Sequence, residues 1–302
     1  MKIDRILVAC CKNDFYLTRI CIASIRYWNK SIPIDLLKDY SAGNFDTQEL
    51  EKVFSVGIMP LPFKSMNAYS KLYPFVSPTD ERVLVLDSDI ILLGDIIPYL
   101  EQFSGNMLVQ AYRPKVPEEE MGKWFFKMDA RNPIFKEYVY PGFLFNSGQM
   151  VIDTGIFPLE EVKKVVQWSD HTQGLAQEVF LCQDQGIINF LFAKLLDQKK
   201  ISYAAVSLFE WGWTYDQQRY SLSNVKNKQG HPLLLHWYGE KKGLLFSLPQ
   251  NELLYFFEQQ YYKNLKLGIF KLMWERLTRT IKHFDVFVYQ CLKNLHRLIF
   301  YK

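Results

Sequence analysis

The order of elements in this 302-residue chain predicts an α/β protein: a mixed, mainly parallel sheet flanked by helices, followed by an amphipathic helical extension. Three observations carry the prediction. A buried-strand pattern, a helix-spaced run and a second strand follow one another within residues 5–37. A later buried run ends abruptly in Asp-Ser-Asp at residues 87–89. From Asn251 onward apolar side chains fall at helical spacing with basic ones on the other side.

The elements follow in order. "RILVACC" (5–11) is a continuous apolar run, as expected of a strand covered on both faces. "FYLTRICIASIRYW" (15–28) places Leu17, Ile20, Cys21, Ser24, Ile25 and Trp28 on one helical face, and "IPIDLL" (32–37) reads as the next strand. Strand, helix, strand in that order makes the sheet parallel. "TQELEKVF" (47–54) reads as a helix and "VLVLD" (83–87) as another buried strand. "GFLFNSGQMVID" (142–153) reads as a strand pair, "EEVKKVVQWSD" (160–170) as a helix, and "CQDQGIINFLFAK" (182–194) as a helix with a polar start. "PLLLHWYG" (232–239) is a last strand running into a loop.

Composition narrows the class. A chain that is 49% hydrophobic and 16% aromatic can fill a core, so global disorder is excluded. A net charge of +4, with no recognition helix, zinc finger or RNA-binding signature, argues against a nucleic-acid partner. Five cysteines without CxxC spacing fit a reducing compartment better than a disulfide framework. The apolar run at the N-terminus is too short for a signal peptide, and no segment offers the roughly 18 apolar residues of a spanning helix. A cytoplasmic protein is the expectation.

"RVLVLDSDIILLGDI" (82–96) sets Asp87 and Asp89 between two runs built for a core. Buried carboxylates are costly unless paired or bound to a cation. A strand ending in DxD presents them at the carboxyl edge of the sheet, where open α/β folds bind ligands. A hard cation such as Mn²⁺ or Mg²⁺ prefers such oxygen ligands and shares its shell with substrate phosphates. The competing reading is a strand end capped by Asp in a turn. A phosphoryl-transfer aspartate would follow the first strand, and a Walker-B acid needs a GxxxxGK[ST] partner that this chain lacks. In "LLHWYGEKKG" the spacing is His236, Gly239, Lys242. An imidazole can complete an oxygen-rich metal site, a glycine lets backbone approach a phosphate, and a lysine can reach it as a point charge. A lone His after an apolar strand also has a purely structural reading.

Taken with "AYSKLY" (68–73), "FLFNSGQMVID", "QDQGIIN" and "ILVACCKNDFYLTRICIASI", these blocks stand in an order that resembles the family 8-type glycosyltransferases of the GT-A (Rossmann-like) fold, over residues 5–245. The resemblance implies a nucleotide-sugar donor, probed at Ala9, Cys11, Asp14, Lys71, Asp87, Ser88, Asn146, Ser147, Gly239 and Lys242. It implies Mn²⁺ or Mg²⁺ held by Asp87, Asp89 and His236. Asp184 and Gln185 would lie at the reacting face of the donor sugar, with retention favoured over inversion. The alternative role for Asp184 is that of a helix N-cap or first-turn acid. Three departures stand out. Cys11 occupies the place of the acid that reads uracil, Gly186 replaces the second acid of the QDQD block, and Gly243-Leu244 replaces Pro-Trp after the lysine. An inverting reaction would need a base, for which Asp184, Glu178 and Glu210 are candidates.

The expected organisation is a catalytic domain over residues 1–250 and a basic tail over 251–302. In the tail Met273, Leu277, Ile281, Phe284, Val288, Leu292, Leu295 and Ile299 step by three or four, and Lys271, Arg276, Arg279, Lys282, Lys293 and Arg297 fall on the other side. Residues 263–302 hold nine Lys or Arg against Glu275 and Asp285, and Trp274, Tyr289 and Tyr301 add interface-loving rings. An apolar stripe opposite a basic face suits the surface of an anionic membrane and hence a lipid-linked acceptor. The alternative is a helix packed on the domain with its basic face in water. The reading overall is a metal-dependent glycosyltransferase using a glycan or lipid-linked acceptor, as in bacterial surface polysaccharide synthesis. A sugar nucleotidyltransferase would want a Gly-rich basic loop after the first strand, and "CCKNDFY" is not one. A non-catalytic glycan-binding protein would have little reason to keep both aspartates and His236.

Overall fold

A computed structural model describes residues 1–61, 69–110, 116–128, 133–136, 138–166, 179–180, 183–214, 221–237, 244–282 and 284. Among the described residues, ten strands form two sheets: β1 (Arg5–Cys11), β2 (Ile34–Asp39), β3 (Val56–Ile58), β4 (Arg82–Asp87), β5 (Ile90–Leu92), β6 (Met107–Val109), β7 (Gln149–Asp153), β8 (Tyr203–Ala205), β9 (Phe209–Trp211) and β10 (Leu234–His236). The large sheet runs β3-β2-β1-β4-β7-β6-β8 and the small one β5-β10-β9. Strands β3, β2, β1 and β4 are parallel, β7 is antiparallel to both β4 and β6, and β6 pairs β8 in parallel.

The expected mainly parallel sheet is therefore present, and its alternating side chains feed two cores. From β1 and β4, Ile6, Val8, Leu84 and Leu86 face helix α1 (Phe15–Trp28), which contributes Cys21, Ile22 and Ile25. Leu7, Val83 and Val85 face the other way, toward α3 (Leu159–Val165) and α4 (Gln183–Asp197) with Val162, Ile187, Ile188 and Leu191. Both faces are covered, which is why these strands read as unbroken apolar runs rather than as alternation. Helix α2 (Gln48–Phe54) buries Leu50 and Phe54, as its spacing requires. The helix expected over 160–170 ends at Val165, and residues 167–170 lie outside the described residues.

Two expectations change. The strand pair expected over 142–153 is a single strand, Gln149–Asp153. The reason is local: the amide of Asn189 accepts from Phe145 N and donates to Phe145 O, both at 2.9 Å, so Phe145 satisfies its backbone on a side chain. Gly148 N then bonds Asn146 Oδ1 at 2.9 Å, turning the chain before β7 begins.

The tail beginning at residue 251 divides in two. Helix α5 (Asn251–Lys263) buries Leu253, Leu254, Phe257, Tyr261 and Tyr262 against α1 and α2. Phe257 meets Tyr27 edge-on at 5.6 Å and Tyr261 stacks on Phe54 at 4.9 Å. Helix α6, residues 268–282, docks through its charged side instead. Arg276 and Arg279 pair with Glu258, Arg19 with Glu275, and Lys271 with Glu49. Leu272 packs inward, but Ile269, Phe270, Met273, Trp274, Leu277 and Ile281 point outward, so the alternative of a basic face left in water is reversed. Val288, Tyr289, Leu292, Lys293, Leu295, Arg297, Ile299 and Tyr301 lie outside the described residues. Among the described residues no helix is long and apolar enough to cross a membrane.

Because α5 completes the core over α1, Phe257→Ala should lower unfolding free energy by about 3–5 kcal/mol. The urea midpoint checks this; a loss below about 1 kcal/mol would make α5 a peripheral appendage.

Candidate active site

Strand β4 ends in Asp87 at the carboxyl edge of the large sheet, in register with Ala9 of β1. The chain turns through Ser88 and Asp89 and continues at once into β5. That turn is the answer to two carboxylates between apolar runs: β4 belongs to one sheet and β5 to the other, and the aspartates sit at the junction. Strand β10 lies antiparallel to β5 with His236 opposite Ile90, and Trp237 N donates to Asp89 O at 3.0 Å. His236 Nε2 is 3.4 Å from Asp89 Oδ1, and both residues are almost fully buried. One ligand atom each from Asp87, Asp89 and His236 lie within 4.8 Å of one another. Sequence neighbours and a residue far along the chain thus converge, as the motif order implied. Two carboxylates and an imidazole are a donor set suited to Mn²⁺ or Mg²⁺.

The space between them is kept by Gly148. A Cβ there would fall 2.6 Å from His236 Cε1 and 3.0 Å from Asp87 Oδ2. A side chain there would force the side chains of His236, Asn146 or Asp87 to shift. Asp87 N also donates to Gly148 O at 2.7 Å, which fixes the loop to the strand end.

Lys71, in a short 3₁₀ turn at Tyr69–Leu72, is buried and links this cluster to helix α4. Its Nζ donates to Asp87 Oδ1 at 2.8 Å and pairs with Asp184 Oδ2. It also reaches Ser147 O at 3.3 Å. Burial alone would lower its proton affinity, but Asp184 and then Asp87 outweigh this, and the ammonium is held above the ordinary lysine range. Asp184 also accepts from Ser147 Oγ at 3.2 Å. It is more than a helix-end acid.

Gln185 accepts from Asn146 Nδ2 at 2.9 Å and Ser147 N at 3.2 Å, and donates to Trp124 O at 2.8 Å. The two blocks "FNSG" and "QDQG" are thereby one hydrogen-bonded unit. Asn189, one turn further along α4, bonds Gln185 O as well as Phe145. Sequence reasoning passed over Asn189; the signal available was a polar residue four positions after Gln185 in an apolar helix. Gly186 has a local cause: a Cβ there would lie 2.2 Å from Phe125 O, so this backbone excludes an acid at that position.

The remaining candidates divide. Ala9 and Cys11 reach the same sheet edge. Asp14 uses Oδ1 to accept from Cys11 N at 2.9 Å, capping the turn into α1. Burial, then Asp14, raises the Cys11 thiol above its usual range, which does not make it a substitute acid. Ser88 is buried in the turn. Glu210 is in register with Leu235, on the opposite face of β9 from Phe209 and Trp211, whose rings lie 5.9 and 5.1 Å from that of His236. It therefore points away from the cluster. Glu178, Gly239 and Lys242 lie outside the described residues.

Comparison with known proteins places this geometry. The model of glycosyl transferase family 8 matches residues 44–243. No curated protein sequence matches the chain. The apo form of the glycosyltransferase GlyE of Streptococcus pneumoniae TIGR4 is similar at 16% identity and a TM-score of 0.51, over 93% of this chain and 64% of that one. The apo bifunctional glycosyltransferase WbbM is similar at 13% identity and a TM-score of 0.54, over 86% of this chain and 50% of that one. These likenesses are ones of fold, and the chain spans about two thirds of the one and half of the other.

Lys71→Met would leave Asp87 and Asp184 facing each other without their shared counter-ion. A loss of at least about 3 kcal/mol in urea unfolding is expected. Unchanged stability would show that the carboxylates do not depend on the ammonium.

Proposed function

Given that this chain belongs to glycosyl transferase family 8 and has the GT-A fold, we propose that it is a metal-dependent enzyme moving a sugar from a UDP-sugar donor to a glycan or lipid-linked acceptor, as in bacterial surface polysaccharide synthesis. The observation that carries this reading is the meeting of Asp87, Asp89 and His236 beside the linked Lys71–Asp184 and Asn146–Gln185 pairs.

Mn²⁺ or Mg²⁺, held by Asp87, Asp89 and His236, would supply charge against the departing diphosphate. Lys242 and Gly239 follow His236 closely enough in the chain to approach the same phosphates. Asn146 and Ser147 orient the sugar, with Gln185 fixing Asn146. Asp184 is ion-paired with Lys71 and accepts a hydroxyl hydrogen bond, which suits a fixed negative charge and not a free base. This supports retention over inversion, as does Glu210 pointing away from the cluster. On the acceptor side, Trp213 is half exposed and stacks on Trp211 at 5.1 Å, offering a ring face near His236.

A donor panel tests the reading. The protein with Mn²⁺ and several nucleotide sugars should release nucleoside diphosphate from one class of donor. Asp89→Ala should abolish both metal-dependent donor binding and release while the fold melts as before. Release that persists undiminished in Asp89→Ala would overturn the metal assignment. Asp184→Asn should reduce kcat by about 10²–10³-fold with little change in donor affinity. An unchanged kcat would reduce Asp184 to a counter-ion of Lys71.

A further inference from the structure

Helix α6 is attached to the domain in an unusual sense. Arg276 donates to Glu258 Oε2 from Nε and Nη2 at 2.8 and 2.6 Å, and Arg279 pairs with the other carboxylate oxygen. Glu258 is only 2% exposed. Arg276 also lies 4.7 Å over the ring of Tyr255, and Arg279 4.9 Å over that of Tyr16. Those contacts, with Arg19–Glu275 and Lys271–Glu49, fix which side of the helix meets the protein. The other side carries Ile269, Phe270, Met273, Trp274, Leu277 and Ile281, each 52–72% exposed, and Phe284 beyond it is 65% exposed. A soluble domain rarely leaves so long an apolar ridge in water.

A basic groove adjoins the ridge. It is lined by Arg26, Lys30, Lys228 and Lys263 with no acidic side chain among its described lining residues. Arg26 is committed to the carbonyls of Phe54, Ile32 and Ser55, and Lys228 to the carbonyl of Tyr27 and the ring faces of Tyr27 and Trp28, which leaves Lys30 and Lys263 to set the field. Burial, and then the neighbouring Lys30, lower the proton affinity of Lys228. The groove shares Gln260 and Lys263 with a second depression that runs onto Leu267, Ile269 and Phe270.

We propose that this ridge and the groove beside it form one docking surface for a bilayer bearing anionic headgroups. The apolar side chains would enter the acyl boundary and the lysines would meet the phosphates. A second copy of the chain fits less well. A symmetric contact sets a patch against itself, and here that would bring uncompensated lysines together. The ion pairs with Glu258, Glu275 and Glu49 also change the balance of forces. Arg276, Arg279 and Lys271 are spent on the protein, so attachment rests on the apolar ridge, with the groove lysines adding preference for anionic lipid.

The test is co-sedimentation of the full chain with vesicles of phosphatidylcholine, alone or with about a quarter phosphatidylglycerol. The intact protein should bind both and favour the anionic vesicles. Combined Phe270→Ser, Trp274→Ser and Leu277→Ser should weaken binding to both by at least about tenfold, with an unchanged melting curve because all three are exposed. Should that variant melt early, Trp274→Gln alone should still lower binding by about threefold. Lys30→Glu with Lys263→Glu should remove the preference for anionic vesicles and leave the rest. An intact chain that ignores vesicles overturns the proposal. So does a triple variant that binds undiminished, or an intact dimer that the triple variant turns into a monomer without loss of vesicle binding. No donor is present, so this outcome is independent of the transfer reaction.

Discussion

One buried ammonium organises the site. Lys71 is placed where the ends of three separately coded pieces meet: Asp87 at the end of β4, Ser147 in the loop before β7, and Asp184 at the start of α4. Two carboxylates could not share so enclosed a place without it. Removing a lysine from water is itself costly, and the pairing offsets that cost from both sides. The arrangement thus couples the Asp87–Asp89–His236 end of the sheet to the helix that carries Asp184 and Gln185. A change at either carboxylate is felt by the other through the same cation.

Around that centre, specificity of position comes from close approach. Gly148 lets the loop pass against His236 and Asp87, Gly186 lets α4 pass against Phe125 O, and Asn189 holds Phe145 by both backbone groups. These close approaches fix the positions of Asn146, Gln185 and the Asp87–Asp89–His236 cluster relative to one another.

The C-terminal part follows the same physics with an opposite result. Amphipathic helices ordinarily turn their apolar side to the protein. In α5 that is so, and Phe257 and Tyr261 are core residues. In α6 the domain offers buried Glu258 and the aromatic faces of Tyr16 and Tyr255, so guanidinium groups make the contact and the apolar side faces out. Charge complementarity between two surfaces decides the orientation, and the apolar ridge is its consequence.

Much of this protein was legible from its residues. Unbroken apolar runs in β1 and β4 announced strands covered on both faces, and Asp87-Ser88-Asp89 between two such runs announced a site at the sheet edge. The order of "AYSKLY", DxD, "FNSG", "QDQ" and His236 announced the family, because chemistry fixes side-chain types at intervals that survive in one dimension. What the sequence left open were relations between surfaces. A helical wheel shows that α6 has two faces, but not which one the rest of the chain will bind. A strand pattern shows that 142–153 is apolar, but not that Asn189 will claim Phe145. That Gly186 cannot carry an acid depends on a carbonyl some sixty positions earlier, at Phe125. Composition and periodicity are properties of a segment; which surface it meets is decided only by packing, where the groups already in place determine which contact costs least.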